Sequence, residues 1–372
     1  MKIPLSKPDI TDKEKKAVLG VLETSHLSLG KKYLEFEKII AKLADVKYAV
    51  AVNSGTSGLH LILRALGIGR GDEVITTPFS FIASSNCILF EGAKPVFIDI
   101  DEKTFNIDVS KIEGKITPKT KAILAVDIFS QPADWDELKR IAKKHKLFLI
   151  EDSAEALGSE YKGKKCGSFG DAGVFAFYPN KQITVGEGGV ILTNNKKIAD
   201  LCKSMANQGR EVLNGKWLEH IMLGYNYRLD EMSCALGIAQ IERLKEILKK
   251  RANVAQLYNK KLKGVEGLEI PYIKPGNKIS WFVYVVKLSS NLSNKRDKII
   301  KEMAKRGIQC SNYFQAIHLQ PFYKKEFLYK EGDFPIAEDI SKRTLALPFF
   351  NDLTEKEIDF VINNLKDILL NV

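Results

Sequence analysis

The first two-thirds of the chain alternates short runs rich in β-branched residues with amphipathic helical stretches. The predicted strands cover residues 49–52, 73–77, 95–98, 122–126, 148–151, 174–177 and 190–193. Helical patterns between the early strands cover residues 58–66, 82–90 and 134–145. This alternation predicts an α/β fold in which helices cover both faces of a largely parallel sheet. Little helix separates the last strands, so the sheet is also compatible with a mixed arrangement.

The remaining third indicates a second, smaller unit. Its predicted elements are a long helix from 231 to about 262, a linker or turn at 264–276, a strand at 281–287, and helices at 297–306 and 355–370. Thr354 or Asp352 is expected to cap the last helix. We therefore expect a large domain over residues 1–250, which includes an N-terminal helical segment, and a small C-terminal α/β domain over residues 251–372.

Composition narrows the classes of function. A net charge of +11 suits anionic ligands, but the lysines alternate with glutamates and no basic block is interleaved with aromatic residues, which disfavours nucleic acid. Five scattered cysteines and five dispersed histidines predict neither a disulfide framework nor a metal site. No apolar run is long enough to cross a bilayer, and the first residues lack the apolar core of a signal peptide. We therefore expect a cytoplasmic protein that binds no membrane.

A glycine- and hydroxyl-rich segment, NSGTSG at residues 53–58, follows the first predicted strand and opens the next helix. Backbone N–H groups, small hydroxyls and a helix dipole at such a turn favour a phosphate group. An ordinary capped turn fits the same residues. The spacing differs from that of a P-loop, because the Gly-Lys ending is absent.

Two further patterns concern a carboxylate and a lysine. Asp152 follows Glu151 at the carboxyl end of a predicted strand, where α/β folds bind ligands and where a carboxylate can pair with a protonated ring nitrogen or cap a helix. Lys181 lies between two apolar strands, just before the sequence GEGG. A lysine in an apolar pocket can act as nucleophile and base, although most lysines are surface charges. Lys181 follows Asp152 by 29 residues.

The order of phosphate turn, aspartate and lysine is that of a fold-type I pyridoxal-phosphate (PLP) enzyme, and longer motifs support this. The chain resembles the DegT/StrS-type sugar-nucleotide aminotransferases over nearly its whole length. The matching stretches include NSGTSGLHL (53–61), PFSFIASSN (78–86), EDSAEALGSEYKGKKCGSFGD (151–171), FYPNKQITVGEGG (177–189), GYNYRLDEMSCALGIAQ (224–240) and IHLQPFY (317–323). The resemblance implies a PLP-transferase fold with a mostly parallel, seven-stranded sheet in the large domain.

The resemblance also implies roles for single residues at the cofactor ring. Lys181 would form the Schiff base with pyridoxal 5'-phosphate and then move the proton between substrate and cofactor carbons. Asp152 would pair with the pyridine nitrogen. Phe81 would stack on the face of the ring.

Other matched positions would hold the phosphate and the sugar. Gly55, Thr56 and Ser57 would bind the phosphate through backbone and hydroxyl groups. Asn226 would reach the same phosphate from the neighbouring subunit, so that a homodimer shares its active sites. Tyr313 and His318 would lie near the sugar, although His318 is equally compatible with a packed position beside Pro321.

The chain departs from the family pattern at two positions. Many members carry a serine five residues before the lysine as a phosphate ligand, and this chain has Ala176 there. The position three residues after the aspartate is often His or Gln, near the ring oxygen of the cofactor, and this chain has Glu155. A second carboxylate close to Asp152 is repelled unless it is protonated, so Glu155 is expected to be protonated or turned towards the substrate.

The resemblance implies a transaminase that takes its amino group from L-glutamate and releases 2-oxoglutarate. Pyridoxamine phosphate would carry the amino group to a nucleotide-diphosphate-linked keto sugar, with the 4-keto position favoured over the 3-keto position. The alternatives are a PLP-dependent sugar dehydratase or lyase on the same fold and a non-catalytic regulatory protein. A dehydrating branch of the family replaces the lysine with histidine, whereas this chain keeps Lys181. A dinucleotide-dependent dehydrogenase is disfavoured because no G-x-G-x-x-G follows the first strand.

Overall fold

The computed structural model describes residues 1–210 and 219–372. The strands are β1 Tyr48–Val52, β2 Glu73–Thr76, β3 Lys94–Phe97, β4 Thr120–Val126, β5 Phe148–Asp152, β6 Glu160–Tyr161, β7 Lys164–Lys165, β8 Ala172–Ala176, β9 Gly189–Thr193, β10 Leu268–Glu269, β11 Asn277–Lys278, β12 Tyr284–Leu288 and β13 Thr344–Leu347. The helices are α1 Asp12–Leu22, α2 Lys31–Ala44, α3 Gly55–Ala65, α4 Ala83–Phe90, α5 Trp135–His145, α6 Lys196–Ala206, α7 Glu231–Glu242, α8 Leu244–Leu262, α9 Arg296–Lys305, α10 Pro321–Phe327, α11 Pro335–Arg343 and α12 Glu355–Asn371.

The centre of the molecule is a seven-stranded sheet with the order β1-β9-β8-β5-β4-β2-β3. The strands β8, β5, β4, β2 and β3 pair in parallel, and β9 runs antiparallel to both β8 and β1. The direct connection from β8 to β9, which lacks a helix, produces the antiparallel pair. The predicted α/β fold with a mostly parallel, seven-stranded sheet is confirmed, including its mixed edge.

Alternating strand residues feed two cores on opposite faces of this sheet. Val52 and Val174 pack in the core that contains α3 and α6, whereas Ala51 and Phe175 pack in the core that contains α2 and α7. This alternation follows from the two-residue period of a strand. Helices therefore cover both faces, and the carboxyl ends of the parallel strands remain as the edge where a ligand can bind.

A separate apolar core builds the C-terminal unit around the antiparallel sheet β10-β12-β13 and the helices α9 and α12. Ile3 is buried in this core and forms a bridge with Ile308, so the N-terminal segment packs on the C-terminal unit. Helix α8 crosses the predicted boundary at residue 250, because Ile247 packs in the large unit and Tyr258 in the small one. The position of that boundary stays a prediction.

Several local expectations are corrected by the structure. Helix α3 begins at Gly55 instead of residue 58, because the Ser54 side chain caps it. The predicted helix from 231 to 262 is two helices that meet at Arg243. The predicted linker at 264–276 contains β10, and β12 starts at residue 284 because Trp281 adopts a left-handed backbone conformation with φ of 57°. Among the described helices, none combines the length and apolarity that a bilayer span needs.

Candidate active site

The glycine-rich segment after β1 forms the first turn of α3. The Ser54 hydroxyl accepts a hydrogen bond of 3.1 Å from the Ser57 backbone N–H, and the Ser57 hydroxyl donates to Asn53 at 2.6 Å. A Cβ atom on Gly189 would lie 2.6 Å from the backbone of Ser54, so only glycine allows β9 to approach this turn so closely. The first N–H groups of a helix have no intrahelical partner, and here they lie beside small hydroxyl groups.

Ala176 ends β8 directly against this turn. A Cβ atom placed on Gly55 would lie 2.8 Å from the Ala176 Cβ atom. A serine at position 176, which many family members have, would therefore bring its hydroxyl next to the helix N-terminus. In this chain the contact is made by a methyl group, so the hydrogen-bonding groups at the turn come from residues 54–57 and the backbone.

Asp152 lies at the carboxyl end of β5 and is buried. Its carboxylate accepts a hydrogen bond of 2.7 Å from the Ser84 hydroxyl of α4 and one of 3.2 Å from the Ala154 backbone N–H. Burial raises the pKa of Asp152, and these hydrogen bonds and the charge of Lys181 offset that effect only in part. The contacts of the carboxylate therefore do not fully offset the cost of burying its charge. A further cationic partner would stabilise the charged form.

The neighbouring acid, Glu151, serves the opposite face of the sheet. Its carboxylate accepts hydrogen bonds from the backbone N–H groups of Gly167, Phe169 and Gly170. Successive side chains of a strand point to opposite faces, so only Asp152 of this pair can face the site. Glu151 instead fixes the loop that leads into β8.

Lys181 and Glu155 form an ion pair within the same buried region. The Lys181 Nζ atom lies 3.4 Å from Glu155 Oε1, and the two side chains are 13% and 6% exposed. The other Glu155 carboxylate oxygen accepts a hydrogen bond of 2.9 Å from the Phe129 backbone N–H. Burial raises the pKa of Glu155, and the charge of Lys181 lowers it again in part. The carboxylate therefore faces the lysine.

An aromatic ring from the C-terminal unit completes the surroundings of the lysine. The Lys181 Nζ atom lies 3.9 Å from the centroid of the Phe282 ring, a cation–π distance. The Phe282 backbone is held on both sides, since its N–H donates to the Ser130 hydroxyl at 2.8 Å and its carbonyl accepts from Arg251 at 2.7 Å. The ring is only 2% exposed. The two units of the fold therefore meet at the lysine amine.

Tyr313 and Asn180 border this aromatic ring. The Tyr313 ring is parallel to the Phe282 ring, with the centroids 6.3 Å apart and an angle of 3° between the planes. The Asn180 amide lies 3.4 Å from the Tyr313 hydroxyl. Tyr313, which the sequence assigned to the sugar, is thus brought next to Lys181 through Phe282.

Phe81 and Asn226 are both exposed in the single chain. Phe81 lies just before α4 and is 60% exposed. Asn226 is exposed between Tyr225 and Tyr227, whose backbones are tied to α6 and to the end of β1. These positions leave Phe81 available to a ligand and Asn226 available to a second subunit.

His318 is placed differently from the other predicted substrate residue. Its imidazole is fully buried, lies 3.0 Å from the Glu338 carboxylate and packs edge-on against Phe334. In this conformation it exposes no atom to a ligand. The structure thus favours the packed alternative that the sequence left open, with Glu338 and Phe334 as the observed neighbours.

Sequence reasoning missed four residues that the structure places around the lysine and the aspartate, namely Ser84, Asn180, Gln182 and Phe282. Gln182 is buried and donates to the Glu155 backbone carbonyl at 2.6 Å and to the Ser280 hydroxyl at 2.8 Å. Ser84, Asn180 and Gln182 lie inside the quoted motifs, so their proximity to Asp152 and Lys181 was a usable signal. Phe282 lies in a run that predicted only a strand, and nothing in that run points to an active site.

The residues present fit pyridoxal phosphate. The fit rests on three features. The charge of Asp152 is buried and only partly offset by its contacts, the lysine amine is shielded from water, and a helix N-terminus carries a glycine. Those three features match the ring nitrogen, the aldehyde and the phosphate of the cofactor in turn. Phe81 adds an exposed aromatic face.

Comparison with known proteins agrees with this geometry. Residues 8–366 match the model of the DegT/DnrJ/EryC1/StrS aminotransferase family. The chain is 39% identical over 371 residues to GDP-perosamine synthase from Caulobacter vibrioides. This match covers 99% of each protein. Its fold is similar to that of PseC from Helicobacter pylori, an aminotransferase involved in the biosynthesis of pseudoaminic acid, with a TM-score of 0.95, 31% identity and full coverage of both chains.

A proposed sugar aminotransferase from Streptococcus pneumoniae, solved in its PLP form, also has this fold. Its TM-score is 0.95 at 28% identity, and the match covers 100% of this chain and 99% of that one. The family match spans nearly all of the sequence, and the curated relative is well above 30% identical over its full length. The chain therefore belongs to the DegT/DnrJ/EryC1/StrS aminotransferase family.

Proposed function

We propose that this protein is a PLP-dependent aminotransferase that moves an amino group from L-glutamate to a nucleotide-diphosphate-linked 4-keto sugar. The observation that carries the proposal is the position of the Lys181 amine. It lies 3.4 Å from the Glu155 carboxylate, and its charge also acts on the buried Asp152 carboxylate. A shielded amine beside a buried acid, at the edge of the sheet where ligands bind, is placed to take and return a proton.

Pyridoxal phosphate supplies an electron sink when it is bound, and the protein supplies position and charge. Asp152 would hold a positive charge on the ring nitrogen, because its own carboxylate lacks a cationic partner strong enough to balance its burial. Ser84 fixes the orientation of that carboxylate. Gly55, Thr56 and Ser57 would hold the phosphate at the N-terminus of α3.

Lys181 would act as the base that takes and returns the substrate proton. Its amine has two resting contacts in the structure, the Glu155 carboxylate and the Phe282 ring. Both contacts place the amine inside the site and away from bulk water. Glu155 would pair with the amine when it carries the proton, and the cation–π contact with Phe282 would stabilise the same charged form.

The sugar assignment draws on the relatives and on the resemblance. GDP-perosamine synthase takes its name from a nucleotide-linked amino sugar, and PseC is involved in pseudoaminic acid biosynthesis. Glu155 and the stretch FYPNKQIT are more similar to members that aminate C4 than to members that aminate C3. Exposed Asn226 supports a homodimer in which each subunit completes the phosphate site of the other.

The visible absorbance of the purified protein, recorded with pyridoxal phosphate before and after L-glutamate is added, tests the proposal. We expect a yellow band that fades with glutamate and returns with a nucleotide-linked 4-keto sugar. Lys181→Ala should lose the band and reduce turnover by about 10⁴-fold or more, because the base is removed. Lys164→Ala, which removes an exposed lysine from β7, is the matched control.

Two results would contradict the proposal. Full turnover by Lys181→Ala would remove the lysine from the mechanism. A stable band that glutamate leaves unchanged would show that the amino donor or the reaction class is wrong. A sugar dehydratase on this fold would instead consume the keto sugar without glutamate and form no amino sugar.

A further inference from the structure

Asn180 and Tyr313 form a small polar pair next to the Phe282 ring, which contacts the lysine amine. The Asn180 side-chain nitrogen and the Tyr313 hydroxyl oxygen are 3.4 Å apart, which is long for a hydrogen bond. The Asn180 Oδ1 atom is shielded from solvent and has no hydrogen-bond partner among the described residues. A buried polar atom without a partner costs free energy, so this oxygen is suited to accept a hydrogen bond from a ligand.

The pair offers a ligand one donor and one acceptor. If the Asn180 nitrogen donates to the Tyr313 hydroxyl, the Asn180 oxygen stays free to accept and the phenol O–H stays free to donate. If the amide is turned over, the phenol donates to the amide oxygen, and the amide nitrogen and a phenol lone pair are free instead. Either orientation therefore presents both functions, side by side.

The phenol retains its proton under ordinary conditions. Burial raises the pKa of Tyr313, and the nearby Glu155 charge acts in the same direction against the hydrogen bond with Asn180. The negative charge of Glu155 near this pair disfavours a carboxylate ligand. A neutral group that both donates and accepts, which in a sugar is a hydroxyl, satisfies the pair completely.

The pair borders the ring that the Lys181 amine contacts, and that amine would act on the reacting carbon. Asn180 directly precedes Lys181, and the Tyr313 ring is parallel to the Phe282 ring, on which the Lys181 amine rests at 3.9 Å. The hydroxyl on the carbon next to the carbonyl is the hydroxyl nearest to the reacting carbon. We infer that Asn180 and Tyr313 bind the hydroxyl next to the keto group, and so select sugars that keep this hydroxyl over deoxy sugars.

This inference rests on the proposed function and specifies its substrate. Asn180 would be a specificity-determining residue, because removing either member of the pair leaves the substrate hydroxyl with one unsatisfied hydrogen bond. A sugar that lacks the hydroxyl leaves the two polar groups of the pair without partners, so it binds less tightly than the hydroxylated sugar. The inference therefore predicts a large preference in the wild-type protein and its loss in the variants.

The probes are a nucleotide-linked 4-keto-6-deoxyhexose with its 3-hydroxyl and the matching 3-deoxy sugar. For the wild-type protein we expect kcat/KM to be about 10–100-fold higher with the hydroxylated sugar. Asn180→Ala and Tyr313→Phe should each lose about 10-fold or more with that sugar and change little with the deoxy sugar. Tyr178→Phe, which removes an exposed phenol from the loop before Lys181, is the matched control and should keep the preference.

Equilibrium binding of both sugars, measured without an amino donor, separates this inference from the identity of the donor. Tighter binding of the hydroxylated sugar by the wild-type protein and equal binding by Asn180→Ala would support it, even if glutamate is not the donor. Equal binding of both sugars by the wild-type protein would overturn it. Equal losses with both sugars, or a loss confined to the half-reaction with glutamate, would also overturn it, because the pair would then serve another part of the cycle.

Discussion

Two clusters of buried charge in this protein have opposite electrostatic balance. One surrounds Arg243, where α7 meets α8, and the other surrounds Lys181 at the edge of the central sheet. Arg243 contacts Glu14 and Asp9, and Lys250 also contacts Asp9, whereas among the described carboxylates Lys181 contacts Glu155 alone. In the first cluster the carboxylates are stabilised as anions, and in the second they are not.

The Arg243 cluster joins the N-terminal segment to the helices. The guanidinium contacts Glu14 at 2.8 Å and Asp9 at 2.9 Å, and Asp9 also accepts a hydrogen bond of 3.0 Å from Asn351. Burial raises the pKa of Glu14, but hydrogen bonds from Thr11 and Arg243 outweigh it and hold the value at about 2. The charged groups of this cluster are paired with one another, and we call the cluster saturated because it leaves no unpaired charge for a ligand.

In the Lys181 cluster the carboxylates are not balanced by cations. The pKa values of Asp152 and Glu155 are both raised by burial, and the single lysine does not balance them. A structural cluster gains stability by completing its contacts, whereas an active site leaves contacts for its ligands. The difference indicates that a cationic group bound beside Asp152, such as a protonated ring nitrogen, would stabilise the second cluster.

The largest expected effect separates the two clusters by stability. Arg243→Met leaves Glu14 and Asp9 buried without their main cation, so we expect the free energy of unfolding to fall by about 3–5 kcal/mol. Urea denaturation of the protein measures this. Lys13→Met, which breaks a bridge between Lys13 and Glu242 whose side chains are both about half exposed, is the matched control. It should cost less than about 1 kcal/mol.

If Arg243→Met unfolds at the wild-type urea concentration, the saturated cluster does not stabilise the fold and the contrast fails. Loss of turnover without loss of stability would also break it. That result would link Arg243 to the chemistry instead of the structure.

The next effect separates the clusters by function. Asp152→Asn removes the charge that would pair with the ring nitrogen, and we expect kcat/KM to fall by about 10²–10³-fold. The free energy of unfolding without cofactor should stay within about 1 kcal/mol, because asparagine can still accept from Ser84 and the buried charge is gone. Turnover and urea denaturation of the same preparation measure both. Full activity together with a large loss of stability would give Asp152 a structural role.

The fold was largely predictable from the sequence, because the strands of the central sheet are continuous apolar runs and helical patterns separate the early ones. The errors fall where side-chain contacts override pattern. Ser54 starts α3 three residues early, and the break at Arg243 is invisible in the helical period of 231–262 because the contacts that hold it come from Asp9 and Glu14, far away in the chain.

Only some of the predicted site residues interact with one another directly. Lys181, Asp152 and Glu155 interact, and Tyr313 joins them through Phe282, a residue that no motif indicates. His318 shows the limit of a motif, since burial and Glu338 hold its imidazole inside the protein. The sequence left open whether Glu155 is protonated or turned towards the substrate, and it did not indicate that the carboxylate lies 3.4 Å from the Lys181 amine. That depends on the Phe129 backbone N–H, which belongs to a different loop.

The smallest expected effect concerns the pH dependence of stability. Glu155→Gln removes a carboxylate whose pKa burial raises, so we expect the protein without cofactor to gain about 1 kcal/mol at neutral pH. An acid with a raised pKa contributes stability below its unfolded pKa and loses that contribution as the pH rises through its folded pKa. The gain should therefore disappear below about pH 4. Urea denaturation between pH 4 and pH 8 measures it.

Glu14→Gln is the matched control from the saturated cluster, and its effect has the opposite sign. The pKa of Glu14 is lowered to about 2, so its contribution is present above the unfolded value near 4.5 and is lost only as the pH falls through about 2. Glu14→Gln should thus lower stability at neutral pH, while Glu155→Gln raises it. If both variants lose stability at neutral pH, Glu155 is as well compensated as Glu14, and the Lys181 cluster is not poised for a ligand.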